Sequence, residues 1–73
     1  MEKSKAIDKI LEEYEFAIIK FPTFNSAHEG YAVVKEEVDE LWDAIKQNQR
    51  QEKLASEAKQ VAAMALRFLT DCC

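Results

Sequence analysis

A chain of 73 residues with one glycine and one proline has almost no turn material for a sheet-rich fold, while its 48% apolar content is ordinary for a folded protein. That length makes one domain at most, with a marginal core of its own for which oligomerisation is the obvious remedy. A net charge of −4 argues against a nucleic-acid polymer as direct partner, since replacing counterions on a phosphate backbone needs a basic face.

No apolar run approaches the roughly 18 residues of a membrane span, and the N-terminal MEKSKAIDKILEEYE lacks a signal peptide's apolar centre. The expectation is a soluble, cytoplasmic protein with no membrane partner. Cys72 and Cys73 are adjacent and terminal, which makes neither a disulfide framework nor a spaced zinc site, so they read as frayed thiols.

The first predicted element is an amphipathic helix over residues 3–20, where Ile7, Ile10, Leu11, Tyr14, Ala17, Ile18 and Phe21 recur at three- and four-residue steps. Phe16 and Ile19 widen its apolar surface beyond one stripe, as suits a helix that meets more than one neighbour, including another subunit. Phe21-Pro22 ends it, because a pre-proline residue avoids the helical region and proline cannot continue the hydrogen-bond ladder.

Ser26-Ala27-His28-Glu29 has the form of a capping box and starts a second helix over residues 26–47. Gly30 in its first turns costs up to about 1 kcal/mol against alanine in a helix interior, and close helix contact is the commoner reason for such a residue. The stretch Val33–Ala44, VVKEEVDELWDA, carries Glu36, Glu37, Asp39, Glu40 and Asp43, yet Val34, Val38, Leu41 and Ile45 keep an apolar stripe through it. At 100° per residue Glu37 borders that stripe and Glu40 lies further round the same flank, whereas Glu36, Asp39 and Asp43 lie nearer the solvent side.

The polar run Lys46–Gln51 reads as a turn, although no glycine or proline marks it. A third helix over residues 52–71 has Leu54, Ala58, Val61, Ala62, Ala65, Phe68 and Leu69 as its expected core stripe. Glu57, Gln60, Met64, Arg67 and Asp71 form a flank beside it, as Glu37 and Glu40 do on the second helix. Two antiparallel helices would bring four oxygen-bearing side chains together. The fold class is therefore all-α, a three-helix protomer assembling into a helical-bundle oligomer.

Glu37-x-x-Glu40, sixteen intervening residues, then Glu57-x-x-Gln60 resembles the ExxE…ExxD pattern of the all-α nucleoside triphosphate pyrophosphohydrolases, the MazG-like family, and Glu36 completes the fuller EExxE form. The words SAHEGYAVVKEEVDELWD and EAKQVAAMALRF look like the small MazG-like proteins met in phages and mobile elements, over roughly residues 26 to 68.

The resemblance implies a homodimer or homotetramer. It also implies hydrolysis of a nucleoside triphosphate to the monophosphate and pyrophosphate, with magnesium, or manganese in its place, as cofactor. Glu37, Glu40, Glu57 and Gln60 would be the metal ligands, with Glu36 a further ligand or, beside Glu37, the residue that orients water. Gln60 departs from the family's aspartate and brings no charge, and the family often has a further helix beyond the point where this chain stops. A catalytically weakened or inactive helical module, acting by oligomerisation or by binding nucleotide or protein, is therefore the alternative.

Four further residues are candidates for substrate contact. His28 lies near the amides of a helix start, which favour anions, although a histidine in a cap motif is more often structural. Trp42, like Phe24, suits stacking on a base, and Lys35 and Arg67, with Lys53 and Lys59, suit phosphates. Packing is the commoner role of such aromatics, and a solvated surface that of such cations.

Overall fold

α1 (Lys3–Lys20) ends where the proline dictates: Phe21 is extended, with φ −124° and ψ 144°, and its amide makes the last helical bond to Ala17 O at 2.9 Å. The computed structural model describes all residues from Met1 to Cys73 and contains three helices and no strand.

α2 (Ala27–Lys46) begins at Ser26, whose hydroxyl accepts from Glu29 N at 3.1 Å, half of the expected capping box. The other half is displaced by one residue, since the Glu29 carboxylate accepts from the Asn25 backbone amide at 3.0 Å instead of from Ser26. Asn25 Nδ2 adds a second bond to the same carboxylate at 3.2 Å, so the cap also fastens the loop.

The turn that carries no glycine or proline is closed by Asn48 at φ 55°. Asparagine tolerates this left-handed conformation better than other residues with a side chain. Asn48 N donates to Ile45 O and Gln49 N to Ala44 O, both at 3.1 Å, the paired bonds of a Schellman termination. α3 (Gln51–Cys72) follows directly and runs back antiparallel to α2.

α1 and α2 each pack on α3 and not on each other, so α3 is the shared element. Small residues set the contacts: Ala17 and Ala63 are buried between α1 and α3 with Met64, and Ile10, Tyr14, Phe24, Val33 and Val34 pack around them. Gly30 brings α2 onto α3 and the loop, because a Cβ there would lie 2.8 Å from the Phe68 ring and 3.0 Å from the Phe24 ring. The expectation of close packing at Gly30 holds.

The apolar stripes are a correction. On α3 the buried residues are Glu57, Ala63, Met64 and Arg67, members or neighbours of the polar flank, while Ala58, Ala65 and Leu69 of the expected core stripe are exposed. On α2 the inward line is Gly30, Val33, Glu37 and Ala44, and Val38 and Ile45 stay 43% and 45% exposed. The buried small residues Gly30, Ala44 and Ala63, which let the helix axes approach closely, sit beside those stripes and not within them. No large side chain is fully buried, and Phe16 and Ile19 on α1 stand 57% and 86% exposed.

Arg67 fastens the third side. Its guanidinium donates to Ala17 O at 3.0 Å and Phe21 O at 2.8 Å, taking up carbonyls at the end of α1. It also pairs with Asp71 at 3.0 Å, whose carboxylate accepts from Phe24 N at 3.2 Å. Burial would raise the Asp71 carboxyl, but hydrogen bonds from Phe24 and Arg67 outweigh it and hold the group below its ordinary value.

Candidate metal centre

The inward flanks of α2 and α3 bring carboxylates from both helices together. Oxygens of Glu37, Glu40 and Glu57 all lie within 4.8 Å of one another. Ligands on one octahedral magnesium ion at about 2.1 Å are about 3.0 Å apart when cis and about 4.2 Å when trans, so side-chain shifts of up to about 2 Å would close the three oxygens around a cation. The donor set, hard oxygens from carboxylates, suits magnesium or manganese.

Depth differs around the group: Glu57 is buried, Glu37 half-buried and Glu40 exposed. The Glu37 carboxyl is pushed up to about 7, first by burial and then by the like charges of Glu40, Glu57 and Glu36. Protonating one member relieves this repulsion, and so would a cation. Lys53 already offers one, with its ammonium 2.8 Å from Glu57 and its pKa raised by that hydrogen bond.

A cleft of about 330 Å³ opens beside Glu37, with Gln60, Glu36, Met64, Phe24 and Arg67 among its walls. Gln60 and Glu36 therefore share one cavity with Glu37, at the edge of the carboxylate triad. Glu13 of α1 and Glu29 also line it, so its ionisable walls are five groups of which only Arg67 is cationic. That charge is matched by Asp71. A larger, shallower groove of about 650 Å³ lies between Met1, Lys9 and the start of α3, but Glu52 is its one acidic residue.

The substrate candidates separate. Arg67 lines the cleft, yet it is buried and its guanidinium is committed to Ala17, Phe21 and Asp71. Lys35 is exposed and pairs with Asp39 at 3.0 Å. Trp42 is 56% exposed with Lys46 over its ring at 5.7 Å, and His28 is exposed at the start of α2; neither lines the cleft. Phe24 does line it, with Arg67 5.3 Å from the ring centroid. Glu13 is the wall residue sequence reasoning missed, since no motif fixes how α1 is rotated against α3; its pairing with Lys59 at 3.6 Å defines it only in the fold.

No protein-family model matches the chain, and neither does any curated protein or solved structure. The site's interpretation rests on its own residues.

The pH dependence of stability has a definite sign. Glu37 rises from its ordinary 4.5 to about 7 on folding, so its contribution is present in acid and is lost as pH climbs from about 4.5 to about 7. Asp71 works oppositely, its contribution vanishing as pH falls through and below the ordinary 3.8. Thermal melts without divalent cations should therefore show stability declining between pH 5 and pH 8. Magnesium should raise Tm more at pH 8 than at pH 5.5, where Glu37 holds a proton that the cation must displace. Equal magnesium shifts at both pH values would remove the triad as the binding site.

Proposed function

We propose that the chain is a magnesium-dependent nucleoside triphosphate pyrophosphohydrolase of the MazG-like kind, releasing the monophosphate and pyrophosphate in a nucleotide house-cleaning role. The observation that carries this reading is the convergence of Glu37, Glu40 and Glu57 within 4.8 Å, with Glu37 also lining a 330 Å³ cleft. The cleft walls are predominantly acidic and their one arginine is spoken for, so a triphosphate is admitted only with cations that offset both sets of charge.

Glu37, Glu40 and Glu57 would hold magnesium, and Gln60 would add a neutral oxygen directly or through water. Bound there, the ion supplies positive charge that offsets the phosphate oxygens. Glu36, a carboxylate on the cleft wall, accepts a proton from a water directed at the α-phosphorus; the water's oxygen bonds to that phosphorus as the bond to the departing pyrophosphate breaks. Phe24 and Met64 provide apolar wall for the base.

Two observations favour a second reading, a helical module with little or no turnover. Lys53 already neutralises Glu57, and Gln60 withholds the fourth charge. A pyrophosphate-release assay across ribo- and deoxyribonucleoside triphosphates with magnesium separates the two. Turnover of at least one substrate is expected, rising in Gln60→Asp; silence across the panel in both proteins would leave the module.

A further inference from the structure

Lys53 and Glu57 make the shortest ion pair in the chain, with 2.8 Å between ammonium and carboxylate oxygen, and theirs is the one lysine pair whose partner is a proposed metal ligand. The lysine pairs of α2, Lys35 with Asp39 and Lys46 with Asp43, join side chains that are each more than half exposed. Here the lysine side chain is 54% exposed and the glutamate side chain 12% exposed, so a cation reaches in from solvent to a carboxylate that water hardly touches. Lysine four residues before glutamate is the weaker order for such a pair on a helix. The contact draws its strength from the surroundings of Glu57 instead.

Those surroundings are the carboxylate triad. A buried carboxylate without a compensating charge is costly, and the oxygens of Glu37 and Glu40 lie within 4.8 Å of that of Glu57. The hydrogen bond to Glu57 raises the Lys53 ammonium's pKa most, the Glu57 charge adds to it, and the Glu40 charge on α2 contributes a smaller share. The ammonium thus answers to carboxylates of both helices. An ion held at about 2.1 Å by the oxygen that Lys53 contacts would lie at most about 4.9 Å from the ammonium. Two cations that close repel, and the flexible lysine stem gives the ammonium a way back to solvent.

We infer that Lys53 is a tethered counter-ion for the ion-free triad, so that a divalent cation enters by displacing its ammonium from Glu57; this rests on the metal site of the proposed function and not on turnover. Lys53 keeps the buried Glu57 paired while no ion is bound. It also opposes an arriving ion, which lowers the affinity of the site. Sodium or potassium would exchange one single charge for another and gain nothing, whereas a doubly charged ion adds a charge that the triad can use. Lys53 therefore acts through Glu57 and sets which cations the site accepts.

Manganese binding, followed by the electron paramagnetic resonance of the free ion, tests it, with helix content checked by circular dichroism. Lys53→Met keeps the stem and should bind manganese at least about tenfold more tightly than the wild type, as befits removal of a charge about 5 Å from the ion. Lys53→Arg, which keeps a cation there, should stay within about threefold of the wild type. Lys46→Met removes the same charge half a turn round α2 from Glu37 and should change affinity by less than about twofold. Without divalent ions Lys53→Met should melt below the wild type, because Glu57 is stranded, and magnesium should close the gap. In the wild type, mass spectrometry should show acetic anhydride labelling Lys53 faster once magnesium is added and Lys46 at an unchanged rate, a readout that needs no variant to fold. Equal manganese affinity in the wild type and Lys53→Met, equal tightening in Lys46→Met, or Lys53 labelling indifferent to magnesium would overturn the displacement and leave the triad a metal site. Absence of manganese binding in every protein would remove the triad as a metal site and the displacement with it.

Discussion

Glu40→Ala is expected to cost at least about 100-fold in pyrophosphate release, because even groups that merely orient a metal's ligands are worth 10–100-fold. The informative part is the accompanying change in stability. Glu40 is exposed and bonded to no cation, and its negative charge is one of those that push Glu37 upward. Its removal should leave Tm unchanged or slightly higher without magnesium, lower the Glu37 pKa, and shrink the magnesium-induced rise in Tm. Loss of activity with loss of fold would point elsewhere, and full activity in a stable Glu40→Ala protein would refute the proposed ligand set. Glu57→Ala is a poorer probe, since Glu57 is buried and its loss also strands Lys53.

Arg67→Met should lower stability by about 3 kcal/mol, the lower end of the cost of breaking a buried pair from one side. The methionine keeps most of the apolar stem. It gives up the bonds to Ala17 O and Phe21 O and leaves Asp71 with only its weaker partners. For a chain this size total stability is roughly 4–11 kcal/mol, and the loss corresponds to a fall in Tm of roughly 15 °C at fixed protein concentration. Adding Asp71→Asn should recover part of that loss, because the unpaired charge then disappears. A fall of only 2–3 °C would mean that water replaces the guanidinium at little cost and that Arg67 is available for other work.

Helices and boundaries were legible to within a residue or so because each rests on local chemistry: three- and four-residue periodicity, Pro22, and the Ser26 cap. The Lys46–Gln51 turn was placed correctly although its stop signal, Asn48, went unread; asparagine adopts a left-handed conformation less often than glycine and so advertises it less. The inward face was the less legible part. Periodicity finds the widest apolar stripe, which on α1 held the buried Ala17, whereas on α2 and α3 the protomer buries a line through Gly30, Ala44 and Ala63 that sits one flank away from Val38, Ile45 and Leu69. That same displacement turned Glu37 and Glu57 inward.

Of the proposed ligands, three converge and Gln60 lies on the adjoining wall. The substrate candidates fared differently because reach and rotation are not local properties. Arg67 reads as a free cation until α1 supplies two carbonyls, and Trp42 reads as a stacking platform until the helix turns it away from the cleft.

The arrangement of α1 and α2 on a common third helix also bears on how the chain is made. α1 and α2 leave the ribosome first, at about 5–20 residues per second, and neither has a surface on the other to settle against. Isolated helices of 18 and 20 residues are marginal in water, so both wait as fluctuating segments with their apolar sides open. Only when α3 emerges do the hairpin close and Arg67 find the end of α1. The arrangement of the three helices therefore forms together, once α3 is available to the two that precede it.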